Sequence, residues 1–224
     1  IEGKKYAMTK HGIVRNSSKP ILKHQTTDSL LFGLTWDEES LTIYPYKFEL
    51  EIEFKLTDKK LEVIHQITNH GKETMLYSIG AHPAFNCPIQ EGQAYEEYYL
   101  EFSELETDST WEVEPSGLIG FDQTLVLDNT KKLPLHRHLF DEDALIFKHL
   151  KSREVTLKHI ENGPILSVSF DDFDYLGIWA KAGAPFVCVE PWLGIGDSTD
   201  SNQNFEEKEG ILKLGAEESV IKSY

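Results

Sequence analysis

The chain is poor in positive charge. It carries 22 lysines and arginines against 38 aspartates and glutamates, a formal net charge of −16 over 224 residues. Arg15, Arg137 and Arg153 are its only arginines. Such a field repels phosphate backbones and anionic bilayers, so nucleic acid and membrane surfaces are excluded as expected partners. Cysteine is also scarce. Cys87 and Cys188 form no CxxC pair and are too few for a disulfide framework. A reduced, cytoplasmic setting is the expectation, with a single Cys87–Cys188 disulfide as the alternative. No run of about 18 apolar residues is present, so no membrane helix is expected. Ile1-Glu2-Gly3-Lys4-Lys5 has no apolar stretch behind its charges, unlike a signal peptide. It also lacks an initiator methionine, and residues ahead of it are expected. GxGxxG, GxxxxGK[ST] and HExxH are absent. So are fixed-period repeats, low-complexity tracts and linkers, which leaves one domain over residues 1–224.

What is present is a globular composition, 40% hydrophobic and 27% charged. The clearest pattern starts at Phe48. Phe48, Leu50, Ile52, Phe54 and Leu56 alternate with Glu49, Glu51, Glu53 and Lys55, the period of a strand with one wet face. Thr57-Asp58-Lys59-Lys60 reads as a hairpin turn, and Leu61–Thr68 as the return strand. After Asn69-His70-Gly71, Thr74–Ile79 reads as the third strand of an antiparallel meander. Further strands are expected near Ile21–Thr26, Leu30–Trp36, Tyr98–Phe102, Ala144–Phe147, Glu154–Ile160, Ile165–Phe170, Tyr175–Ala180, Phe186–Glu190, Ile211–Leu214 and Ser219–Lys222. Residues 86–97 and 191–204 read as loops. Residues 103–135 show only short apolar runs, and His136–Asp143 reads as a polar segment able to hold a helical turn. Many short strands and few helices predict an all-β fold, a large antiparallel sandwich or partly closed barrel.

Several residues carry chemistry. His82 follows Gly80-Ala81 and precedes Pro83, which favours extended backbone before it and supplies no N–H. A histidine fixed at a strand end suits general acid or base work near neutral pH. The alternative is a core histidine with its N–H satisfied. Glu190 ends the apolar run Phe186-Val187-Cys188-Val189, and carboxylates are rarely buried unless paired or used. Desolvation there raises the carboxyl pKa toward the range useful to a general base near neutral pH. A strand-end glutamate reaching solvent is the bland alternative. His136-Arg137-His138 with Glu142 has a spacing that resembles the metal motif of cupins, but no flanking glycine and no downstream partner motif accompany it. An exposed loop is the better reading, and no metal or cofactor is expected. Asp143 stands directly before Ala144-Leu145-Ile146-Phe147, where it can mark a strand start facing a cleft, whereas Asp171, Asp172 and Asp197 read as turn residues. Trp179 alternates with Ile178 and is either core or a sugar-stacking platform. A glycoside hydrolase needs two carboxylates, and Glu190 has no evident acidic twin.

Together these segments resemble the aldose 1-epimerase (galactose mutarotase-like) family. Gly80-Ala81-His82-Pro83-Ala84-Phe85-Asn86 and Val189-Glu190-Pro191-Trp192 are similar to its two catalytic segments. His11-Gly12-Ile13-Val14-Arg15-Asn16, Asp143-Ala144-Leu145-Ile146-Phe147 and Tyr175-Leu176-Gly177-Ile178-Trp179-Ala180-Lys181 are similar to its LacX-like branch, in family order over nearly the whole chain. The resemblance implies a β-supersandwich and metal-free interconversion of the α and β anomers of a free hexose. It implies His82 as the acid on the ring oxygen and Glu190 as the base on the anomeric hydroxyl, on opposite sides of the hemiacetal. His11, Arg15, Asp143 and Trp179 would contact the sugar. Relatives carry further N-terminal strands with another substrate-binding arginine, so the chain is expected to be N-terminally incomplete. The sugar is not fixed by the resemblance. Two alternatives are a hexose-6-phosphate 1-epimerase, which the paucity of arginine disfavours, and a non-catalytic carbohydrate-binding or regulatory module.

Overall fold

A computed structural model describes residues Ile1–Tyr224. In chain order the strands are β1 (Ile21–Gln25), β2 (Ser29–Thr35), β3 (Phe48–Thr57), β4 (Lys60–Asn69), β5 (Met75–Tyr77), β6 (Ile79–Gly80), β7 (Ala84–Asn86), β8 (Tyr98–Val113), β9 (Ile119–Pro134), β10 (Leu145–Phe147), β11 (Glu154–His159), β12 (Gly163–Ser169), β13 (Tyr175–Trp179), β14 (Phe186–Leu193), β15 (Leu212–Leu214) and β16 (Ser219–Ser223). The single α-helix, α1 (Glu38–Leu41), is one turn held by an Asp37 cap whose side chain accepts from the Ser40 N–H. The expected all-β character is therefore present, and the named strands pair antiparallel throughout. No helix is long and apolar enough to cross a membrane.

The chain forms two compact units. The first comprises Ile1–Ser78 and Asn202–Tyr224. Its main sheet runs β1-β2-β3-β4-β16, with β5 and β15 paired separately. The alternation from Phe48 sets the register: Leu50 faces Ile67 and Ile52 faces His65 on one side of the β3–β4 hairpin. The third strand does not continue the meander. β16 takes the open edge of β4, and Met75–Tyr77 pairs with β15 instead. Asn69 is the physical reason. It is 1% exposed, and its side-chain amide donates to the carbonyls of Glu73, Leu214 and Gly215. Its Oδ1 accepts from the Gly71 N–H, closing an Asx turn that bends the chain out of the sheet.

The second unit is Ile79–Ser201. One sheet runs β10-β13-β14-β6, with β7 also on β14, and the other runs β12-β11-β8-β9. Phe102 on β8 and Phe147 on β10 meet edge to face at 6.1 Å between the two sheets, both fully buried. Residues 103–135, irregular by their hydrophobic pattern, hold most of the long β8–β9 hairpin. The pattern fails there because the register slips repeatedly and because acids occupy the interior. Glu106, 1% exposed, accepts from the Lys151 and Ser152 N–H groups, and Asp108 accepts from the His149 N–H. Two carboxylates thus satisfy the backbone of the loop before β11. Two loop boundaries also shift. Ala84–Asn86 pairs with β14, and β14 runs past Glu190 to Leu193.

Candidate active site

The site is built on β14. Alternation along it sends Val187, Val189 and Leu193 into the core and puts Phe186, Cys188, Glu190 and Trp192 on the opposite face. β13 extends that face: Tyr175 stands opposite Trp192, Gly177 opposite Glu190 and Trp179 opposite Cys188. On the other flank, Gly80 pairs with Trp192 and Ala84 with Cys188. Ala81, His82 and Pro83 span the interval between those two pairings, opposite Glu190. The Ala81 N–H donates to the Pro191 carbonyl and the Val189 N–H to the Pro83 carbonyl, which anchors the segment on both sides of His82. Pro83 cannot donate to the ladder, and the interruption it marks lets His82 lean over its neighbour strand.

His82 Nδ1 lies 3.2 Å from Glu190 Oε1. The histidine side chain is 40% exposed and the glutamate side chain 7%, so a nearly buried carboxylate is approached through a histidine open to solvent. The imidazole meets the Trp179 indole edge-on at 5.9 Å, and Trp179 tilts against Phe186 at 6.0 Å. Ile178 points to the core, leaving Trp179 half-buried beside His82. The acid–base pair was expected to stand on opposite sides of a hemiacetal. Here the two side chains are in contact.

Trp192 shapes the floor. Its indole lies so close to Gly177 that a Cβ there would meet Cζ2 at 2.5 Å, and a Cβ at Gly80 would meet Cδ1 at 3.0 Å. With Tyr175 it packs against Ile119, Ile146 and Ile195. Cys188 joins the pair from below. Its thiol is 1% exposed and pushed up to about 12, first by burial and then by the Glu190 charge, so it stays protonated near neutral pH. Both cysteines are free thiols, not a disulfide. Composition and spacing did not single out Cys188 or Trp192 as site residues. The signal was available, since Cys188, Glu190 and Trp192 are two apart on one strand.

Other candidates fall elsewhere. Asp143 is exposed and precedes Leu145, the partner of Ile178, by two residues, which places it toward the Trp179 end of that sheet. Its backbone sits at φ 124°, a strained region for a residue with a Cβ, and its Oδ1 accepts from the Ala144 N–H. His11 and Arg15 belong to the first unit, where Gly12 turns the chain at φ 67° with its N–H bonded to the Thr9 carbonyl. His136, His138 and Glu142 lie in an irregular, exposed segment, and His138 Nδ1 faces Asp141 at 2.8 Å. That segment is a turn and not a strand, in keeping with the exposed-loop reading.

Comparison with known proteins identifies the family and the fold. A model of the aldose 1-epimerase family matches residues 1–208. The chain is 40% identical over 219 residues to the chromosomal LacX protein of Lactococcus lactis subsp. lactis, covering 96% of this chain and 73% of that one. It is similar in structure to a galactose mutarotase related enzyme from Lactobacillus acidophilus, with a TM-score of 0.91 and 29% identity, over 99% of this chain and 74% of the other. A galactose mutarotase-like protein from Lactobacillus casei matches with a TM-score of 0.89 and 25% identity, over 100% of this chain and 77% of the other. The chain belongs to the aldose 1-epimerase family, and its fold is galactose mutarotase-like.

Proposed function

We propose that the protein interconverts the α and β anomers of a free hexose, with His82 and Glu190 as its acid and base. The observation that carries the reading is the 3.2 Å contact between an exposed imidazole and a nearly buried carboxylate, beside a half-exposed indole. Trp179 offers the apolar face of a pyranose a stacking surface. Glu190 takes the proton from the O1 hydroxyl while His82 gives one to the ring oxygen. The C1–O5 bond breaks and C1 becomes an aldehyde. Rotation about C1–C2 presents the other carbonyl face. The O5 hydroxyl then adds to C1, returning its proton to His82, while Glu190 protonates O1. No atom or electron is left over, and the pair ends as it began. Asp143 accepts from sugar hydroxyls in this scheme, and a strained backbone at that position is the kind retained for function. For His11 and Arg15, the sugar-binding role rests on the family resemblance alone.

Polarimetry of freshly dissolved α-glucose and α-galactose tests the reading. The protein should speed the decay of rotation, and His82→Ala and Glu190→Gln should each lower that rate by about 10²–10⁴-fold while remaining folded. Rates equal to wild type in both variants would sink the assignment. Sugar affinity by calorimetry, with decay no faster than in buffer, would select a carbohydrate-binding module instead.

A further inference from the structure

We propose that His82, Cys188 and Glu190 together form a binding site for one thiophilic divalent cation, Zn²⁺ or Cd²⁺. The His82 ring nitrogen, the Cys188 sulfur and a Glu190 carboxylate oxygen all lie within 4.8 Å of one another. Donors sharing one tetrahedral ion at 2.0–2.3 Å stand about 3.3–3.8 Å apart. The 3.2 Å between His82 Nδ1 and Glu190 Oε1 is already close to that spacing. Closing on the sulfur takes side-chain adjustments of about an ångström, within the reach of ordinary rotamer changes.

The donor chemistry selects the metal. One nitrogen, one sulfur and one oxygen suit a borderline-soft ion, while Mg²⁺ and Ca²⁺ demand oxygen ligands. Three protein donors also leave a fourth position for water, on the side where His82 is open to solvent. Charge favours the site as well. Binding replaces the thiol proton, which leaves to solvent, and forms a metal–sulfur bond. The dication, one thiolate and one carboxylate then sum to zero, so a buried site that carried one negative charge becomes neutral. Cys188 and Glu190 sit two apart on one strand, which holds two of the three donors on a fixed frame.

This inference does not depend on the sugar reaction, and its readout needs no sugar. Cd²⁺ is titrated into the protein while the ultraviolet thiolate-to-metal charge-transfer band is followed. One saturable equivalent is expected, displaced by Zn²⁺. Cys188→Ser should abolish the band. His82→Ala, at an exposed position that does not threaten the core, should keep the thiol but weaken Cd²⁺ at least about tenfold. Cys87→Ser is the control and should leave the titration unchanged. A protein without the band, a band that follows Cys87 and not Cys188, or a Cd²⁺ affinity untouched by His82→Ala would each overturn the proposal. A protein that binds Cd²⁺ but does not anomerise sugars retains this site and loses the reaction assigned above.

Discussion

Glu190 owes its setting to the residue across the ladder from it. Gly177 is its partner on β13, and the missing Cβ is what lets the Trp192 ring lie alongside. Gly177→Ala would drive a methyl to 2.5 Å from Cζ2 and 2.9 Å from Cη2, and the indole would have to shift within a packed apolar cluster. Overpacking of this kind costs about 1–3 kcal/mol. A lower thermal midpoint and a lower anomerisation rate are therefore expected together. A midpoint and rate both equal to wild type would show that Trp192 does not position the carboxylate. At this scale the sequence singled out His82 and Glu190 because an apolar run precedes each, although β14 continues past Glu190 to Leu193 and His82 lies between β6 and β7. It was silent on their direct contact. That depends on a gap between two short pairings to β14, at Gly80 and Ala84, which no local pattern encodes.

Among the elements, those with clean alternation or β-branched runs were legible: β3, β4, β11, β13 and β14 lie near where their patterns place them. The β8–β9 hairpin was not, since Glu106 and Asp108 occupy interior positions and bulges shift the period. Nor was the exit of β5 from the meander, which rests on hydrogen bonds from the Asn69 side chain to the nearby Glu73 carbonyl and to the distant carbonyls of Leu214 and Gly215. The sheet of the first unit carries a pH dependence of its own. His65 on β4 is 5% exposed and stacks on Tyr224 at 5.8 Å. Burial holds its imidazole below the ordinary value of 6.5, against a backbone hydrogen bond involving Lys222. Above 6.5 both folded and unfolded chains carry it neutral, and its contribution to stability is fully present. As pH falls through 6.5 the unfolded chain takes up a proton that the folded sheet resists, and stability is lost until the folded value is reached. Glu49, held below 4.5 first by Lys23 and then by His70, adds its own loss only further down. The urea midpoint should therefore decline just below 6.5 in wild type and stay flatter there in His65→Gln. Identical profiles would contradict this.

For the whole molecule, the charge of −16 speaks about substrate more than about fold. A sugar phosphate approaches against this field, and a free aldose does not. The ratio of kcat/KM for glucose over glucose 6-phosphate should exceed one at low salt and narrow as salt screens the surface. A preference for the phosphorylated sugar at low salt would point to a cationic pocket and to the phosphate-specific alternative. The all-β class was readable from periodicity, and the family from five short segments in order. The division into two compact units was not, because no linker or change of composition marks the turn at Ser78–Ile79 or the return at Ser201–Asn202. The central claim is that His82 and Glu190 open and close a hemiacetal. Exchange spectroscopy between the α and β anomeric protons of an equilibrated aldose measures that step without coupling enzymes. The account predicts exchange cross-peaks with wild-type protein that vanish in Glu190→Gln and in His82→Ala. Cross-peaks of undiminished rate in those variants, or none with the wild type, would contradict it.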